Sequence, residues 1–514
     1  MSLNAEQLAE LLPFEIAQRR EEGHDVSAFE RRWNALGIPS VPIHRPIPAE
    51  ARGAVEAGAA ELAALYRDLD ALDALPAPLH EPSSLEEIRA LRPRGPRQME
   101  LRLSEEQLRD RILGAWLGRA AGCLLGKPVE GWARDAIRRV LEHAGEYPLS
   151  QYIAYPDVPA VAATQSSNGA PTIRAASSTP SSAGASASAG DGNVPDVVRR
   201  LAQRPKDWFR GGFDRMVRDD DMDYPLIALH LLEEYGPDFT TQHVGRGWQL
   251  KLPYLMVYTA ERVAYRNLVN GLRAPETATY INPYREWIGA QIRADLWGWV
   301  CPGRPEQAAE LAYRDAALSH TKNGIYGEMY FAAAIAASFA VDTVEEALLA
   351  GLTEIPAKCR LTEAIVQTMR WVREDGDFQK TTDRIHEAYG HYHGVHTINN
   401  AALVVMGLLY AERNAAGART GSRSTAAGDD RLLDDSLCLT VMGGWDTDCT
   451  GATAGSLVGS LLGARRLSHR WVGDFNDRLE SIVIGMTDNS FADLADRTLA
   501  QSRLLASAGQ PAHA

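Results

Sequence analysis

Cysteine is scarce in this chain of 514 residues: there are five, at Cys123, Cys301, Cys359, Cys438 and Cys449, and no two have CxxC spacing. That scatter supports neither a disulfide framework nor a zinc knuckle, and the thiols are read as reduced. Long apolar runs are missing too. None reaches the roughly 20 residues that a membrane span needs, and the opening MSLNAEQLAE carries neither the basic nor the apolar part of a secretory signal. The expectation is a cytoplasmic protein that does not enter a membrane. Positive charge is in deficit, with 53 Lys and Arg against 67 Asp and Glu and a formal net charge of −14. This removes any general electrostatic attraction to nucleic acid, and small ligands are the expected partners. Alternating strand patterns are hard to find anywhere.

A hydrophobic content of 45% is ordinary for a globular protein, and the chain is long enough to bury a sizeable core. Two stretches depart from it. Residues 158–194 are dominated by Ala, Ser, Gly and Pro and hold too little apolar bulk to offset ordering, so they read as an insertion. Residues 413–430, RNAAGARTGSRSTAAGDD, read as a surface loop between two apolar segments. Residues 1–98 contain helical patches such as EAGAAELAALYRDLDAL and end in the proline-interrupted LRPRGPRQ, which reads as a linker. The chain therefore divides into an N-terminal helical extension, 1–98, and a main domain, 99–510. Helical signals fill the latter. LSEEQLRDRILGAWLGRAAGCLLG opens with Ser104 and Gln107 in capping-box spacing and stops before Lys127 and Pro128. DYPLIALHLLEEYGPD has Pro225 where a first turn tolerates proline and Gly236 and Pro237 as a terminator. The fold class is all-α.

Two glycine series stand out, Gly114, Gly118, Gly122 and Gly126, and Gly451, Gly455, Gly459 and Gly463, each with a spacing of four that lines one helical face. A glycine inside a helix costs about 1 kcal/mol relative to alanine, and close backbone approach between helices is the gain that offsets it. The loops ahead of such helices carry acids. Asp446 and Asp448 precede the second series, and Asp219, Asp220, Asp221 and Asp223 precede the helix expected to begin near Pro225. The helix dipole accounts for one or two acids in a first turn but not for three in a row. Crowded carboxylates repel unless they are solvated or bind a cation, and an all-oxygen site suits Mg²⁺, Mn²⁺ or Ca²⁺.

Taken in order, GRAAGCLLGKPVEGW, DDDMDY, RDAALSHTKNGIYG and GGWDTDCTGATAGSLVG resemble the motifs of the ADP-ribosylglycohydrolase family over roughly residues 105–470. The resemblance implies an all-α fold holding two Mg²⁺, or Mn²⁺, between the acid clusters, with a ribose over the metals. Metal ligands would be Asp219, Asp220, Asp221, Asp446, Asp448 and Thr450. Asp219 and Met222 stand where the family has threonines, and so does Cys449; a thiol is a poor magnesium ligand, and Thr450 could substitute for it. Glu130 matches a glutamate that activates water, and Asp220 and Asp448 join it as catalytic. His320, Asn323, Gly324 and Tyr326 match a substrate-side loop. In GHYHGVHTINN, residues 390–400, His391, His393, His396, Asn399 and Asn400 are read as pocket lining rather than a metal site, with Asn399 a substrate contact or helix cap. The implied activity is hydrolysis of an N- or O-glycosidic bond at C1 of a ribose in an ADP-ribosyl or related compound, small or protein-linked. Alternatives are a family member that binds such a ligand without turnover and an all-α prenyl-diphosphate enzyme, to which DDDMD fits as DDxxD. DTDCT also fits the DxDxT of dehalogenase-type phosphatases, but only 64 residues follow Thr450, too few for the remainder of that α/β domain.

Overall fold

The structure, a computed structural model, describes residues 3–43, 45–72, 81–157, 194–420 and 431–508. Among these it has twenty-three α-helices, and the only strands are a two-residue antiparallel pair, Leu479–Glu480 with Asp488–Asn489. The all-α expectation holds. No described helix is long and apolar enough to cross a membrane. Of the expected insertion 158–194, all but Val194 lies outside the described residues. The expected loop 413–430 is partly corrected: residues 413–420 continue the Thr397–Thr420 helix, and 421–430 lie outside the described residues.

The Glu105–Gly126 helix starts where its capping box says it should. Gln107 N–H donates to Ser104 Oγ at 3.2 Å, and Ser104 N–H to Gln107 Oε1 at 2.8 Å. Its partner is Thr447–Leu462, and the two lie antiparallel in direct backbone contact. Gly114, Gly118 and Gly122 face Gly459, Gly455 and Gly451, and Gly126 faces Thr447. A methyl group on Gly114 would stand 2.5 Å from the Gly459 carbonyl oxygen, and the other pairs are tighter still. Gly463 lies at the end of this seam, its backbone 2.7 Å from where a methyl group on Gly114 would stand. It closes its helix with φ of +83°, a left-handed conformation that glycine adopts without strain.

The helix after the first acid cluster begins earlier than expected, at Asp220, and runs to Tyr235. Asp219 is its N-cap, its carboxylate accepting the Asp221 N–H at 2.9 Å. Pro225 therefore sits inside the helix rather than at its start. Its missing N–H leaves the Asp221 carbonyl without a helical donor, and buried Arg119 fills the gap, donating Nε and Nη2 to that oxygen at 2.9 and 2.6 Å.

The N-terminal helices close over a small apolar core of their own, with Leu12, Val55, Leu62 and Leu65 fully buried. They meet the main body through apolar and polar groups alike: Phe14 packs on Tyr284 and Trp287, Glu15 and Glu22 pair with Arg285 at 2.8 and 2.9 Å, and Gln18 donates to Glu286 at 3.0 Å. The stretch expected to be a linker is pinned down, because Arg92 and Arg97 both reach buried Glu354, at 2.5 and 2.6 Å. Ile88, just before it, belongs to the main core.

Candidate functional site

The antiparallel seam sets the end of one helix against the start of the other. At that junction Thr447 Oγ1 donates to the Gly126 carbonyl at 2.8 Å. The loops that continue from both are joined in turn: Gly131 N–H donates to Trp445 O at 2.8 Å and Trp445 N–H to Trp132 O at 3.0 Å. Trp445 adopts φ of +64°, unusual for a side chain of that size, and is held there by stacking on His386, whose ring N–H donates to the Gly443 carbonyl at 2.9 Å. Glu130 is thereby carried to the second acid cluster. One carboxylate oxygen each from Glu130, Asp446 and Asp448 lie within 4.8 Å of one another.

The first acid cluster arrives from the Asp220–Tyr235 helix. Asp221, Asp448 and Cys449 also bring ligand atoms within 4.8 Å of one another, so Asp448 is common to both groupings. A further grouping joins Cys123, Asp219 and Asp221. The two clusters expected to meet across one site do so, and both occupy helix N-termini, where the dipole favours negative charge.

These acids have few basic partners. Lys127 forms an ion pair with Asp219, its ammonium lying 4.7 Å from the Trp208 ring centre. Arg119 touches Asp221 at 3.2 Å and pairs with Asp295, while Arg218 holds Asp223 at 2.8 Å. Among the described residues no ion pair reaches Asp220, Asp446, Asp448 or Glu130. Burial first, and the charge of Asp219 next, push Asp220 up to about 8. Burial and then Asp446 push Glu130 up to about 7. Burial also drives Asp221 and Asp448 well above the usual carboxylate range. A buried cluster of this kind keeps its negative charge only if cations balance it, and its carboxylate oxygens are the donors a hard divalent ion takes. The donor set fits such an ion.

Two expected ligands have other engagements. Both oxygens of Asp219 are used, one by the Asp221 N–H and the other by Lys127. The Thr450 hydroxyl donates to the Thr447 carbonyl of its own helix at 3.3 Å.

Residues expected on the substrate side are placed as follows. His320 is buried, with Nδ1 2.8 Å from Ser319 Oγ and Nε2 3.9 Å from Glu261, in the network around Arg293, and burial holds its pKa well below the ordinary value. The Asn323 amide donates to Glu81 at 2.8 Å and to Glu286 at 2.7 Å, and its oxygen accepts the Leu361 N–H. Tyr326 donates to the Pro82 carbonyl, and Gly324 lies against the Arg285 carbonyl. This loop thus meets the segment ahead of residue 98. Asn399 donates to the His393 carbonyl at 3.1 Å and accepts from Asn400, whose own oxygen accepts the Asp446 N–H at 3.2 Å. Burial holds His393 down at about 4 and His396 at about 3, so both are neutral.

Sequence reasoning passed over Arg119, Cys123 and Lys127. Their spacing of four places them in one row beside the glycine seam, and all three face the first acid cluster.

Comparison with known proteins points to one family. The ADP-ribosylglycohydrolase family model matches residues 104–507. Among curated proteins none matches the chain. A solved structure of an ADP-ribosylglycohydrolase-related protein complex is 19% identical, covering 78% of this chain and 99% of that chain, with a TM-score of 0.40.

Proposed function

This chain belongs to the ADP-ribosylglycohydrolase family, and from that premise we propose that it is a divalent-metal-dependent hydrolase of ribosyl compounds. The bond cleaved is an N- or O-glycosidic bond at C1 of a ribose, in an ADP-ribosyl or related substrate, free or protein-linked. The observation that carries this reading is the meeting of Glu130 with Asp446 and Asp448, and of Asp448 with Asp221, at the open end of the glycine seam.

In this reading Asp220, Asp221, Asp446 and Asp448 hold the cations, two Mg²⁺ or Mn²⁺. When bound, these supply Lewis-acid stabilisation of charge at the anomeric carbon and fix the ribose hydroxyls. Asp219 and Thr450 act from behind: Asp219 caps the helix that presents Asp220 and Asp221, and Thr450 stands in the first turn beneath Asp448. Glu130 receives the proton of the attacking water at its carboxylate, and its elevated pKa lies in the range a general base needs at neutral pH. Asn400 steadies the loop through the Asp446 N–H, and Asn399, bonded to it, is the expected substrate contact tied most directly to the acids. His320, Asn323 and Tyr326 have polar atoms engaged by Ser319, Glu81, Glu286, Leu361 and Pro82, and with Gly324 they enter this reading as supports rather than as substrate contacts.

The test uses metal-stripped protein titrated with Mg²⁺ and Mn²⁺, then given ADP-ribosylated peptides, an ADP-ribosyl phosphate, nucleosides, a phosphomonoester and a prenyl diphosphate. Divalent-dependent release of ribose or ADP-ribose is expected. Asp220→Asn and Asp448→Asn should each abolish tight cation binding, since each removes a charged ligand from one shared site. Phosphate release alone would support a phosphatase, pyrophosphate release a prenyl enzyme, and ADP-ribose binding without product a non-catalytic protein.

A further inference from the structure

Two neighbouring ligand groupings share Asp448, and they differ in chemistry. Asp446 and Asp448 offer only oxygen, with Glu130 beside them as the base rather than a ligand, whereas Asp221, Asp448 and Cys449 place a sulfur beside two carboxylates, all three residues buried. Thiolate is a soft donor that Mg²⁺ does not seek, while Zn²⁺, Co²⁺ and Fe²⁺ accept mixed sulfur and oxygen sets. A second sulfur, Cys123, stands with Asp219 and Asp221, but there the Lys127 ammonium already sits on Asp219. In the Cys449 grouping Arg119 touches one oxygen of Asp221 at 3.2 Å, and among the described residues no ion pair reaches Asp448.

Resting on the metal-centre reading above, we propose that the two cation positions are unlike: one all-oxygen position for Mg²⁺ or Mn²⁺, and one sulfur-bearing position, formed by Asp221, Asp448 and Cys449, for a borderline divalent transition ion. As the metal–sulfur bond forms, the Cys449 thiol releases its proton to solvent, so the ligand is thiolate. Cys449 then sets which metal the centre accepts. Cys123 is the one other thiol placed with these acids among the described residues; Cys359, by contrast, caps its own helix, its sulfur accepting the Thr362 N–H at 3.4 Å.

The full-length metal-stripped protein is titrated with Co²⁺ alone, then with Co²⁺ in the presence of excess Mg²⁺. A sulfur-to-cobalt charge-transfer band in the near ultraviolet, saturating at one cobalt per chain and surviving Mg²⁺, is expected. Cys449→Thr should lose the band and at least about tenfold in Co²⁺ affinity while keeping Mg²⁺ binding by calorimetry. Cys449→Ser is the second variant should threonine not be accommodated, and Cys123→Ser should retain the band. Cobalt bound without the band, displacement of cobalt by Mg²⁺, or loss of the band in Cys123→Ser overturns the sulfur-bearing position and leaves the metal-centre reading standing. Failure of Mg²⁺, Mn²⁺ and Co²⁺ alike to bind overturns both.

Discussion

Glu130 reaches its place through two backbone hydrogen bonds that join its loop to Trp445, and among the described residues no ion pair reaches its carboxylate. Glu130→Gln should therefore leave cation binding intact and lower kcat by about 10²–10⁴, separable by calorimetry and steady-state kinetics. Asp220 leads to a pH prediction. Its folded pKa lies near 8 and its ordinary value near 3.8, so between them the folded metal-free protein holds a proton that the unfolded chain has released. Stability contributed by that proton is present at low pH and lost as pH rises through this window. Adding Mn²⁺ should raise the melting temperature more at pH 8 than at pH 5, and an equal rise at both would contradict the cluster's electrostatics. Arg119 carries a third prediction. Arg119→Met leaves Asp295 and the Asp221 carbonyl buried without their donor, a loss of about 3–5 kcal/mol readable by urea denaturation. At this scale the acids themselves were legible in the sequence, because three in a row at a helix start exceed what a dipole explains. The basic row was legible only as a spacing: Arg119 and Lys127 meet Asp221 and Asp219 about ninety to a hundred residues on, a distance no local pattern spans.

Between elements, the glycine seam makes the sharpest claim. Gly122→Ala puts a methyl group into the Gly451 backbone, so the helices must part, and overpacking of about 1–3 kcal/mol or more outweighs the roughly 1 kcal/mol that alanine gains in helix propensity. Gly53→Ala, on the exposed face of the Arg52–Ala57 helix with no neighbouring atom within 4 Å of the new methyl, should stabilise instead. Opposite signs in paired thermal melts are the expected result. The two series were readable from a spacing of four, but their pairing was an inference that only the fold could check, and Gly463 both abuts Gly114 and ends its helix with a positive φ. The helix start was misread because proline rules describe an isolated helix. Arg119, supplied from another helix, satisfies the carbonyl that Pro225 leaves open, and so the acids lie in the first turn rather than before it.

Over the whole molecule, the N-terminal helices are held by buried ion pairs as well as by the packing of Phe14 on Tyr284 and Trp287. Glu22→Gln weakens the contacts with Arg285 and Lys322 and should cost about 1.5–3 kcal/mol; Arg285→Met in the same chain should recover part of that loss if the buried guanidinium is the source. Helical class could be read from caps and terminators, which are local, whereas the docking of Asn323 and Tyr326 onto Glu81 and Pro82 joins residues more than 240 apart and leaves no trace in either segment alone. The seam also has a schedule. Thr447 meets Gly126 across 321 positions of chain, and at about 5–20 residues per second of synthesis the first helix waits roughly 16–64 s for its mate. Throughout that interval its bare glycine edge stays uncovered, and Glu130 and Asp448 have yet to meet. The candidate site comes into being only after the second acid cluster has been made, long after Glu130.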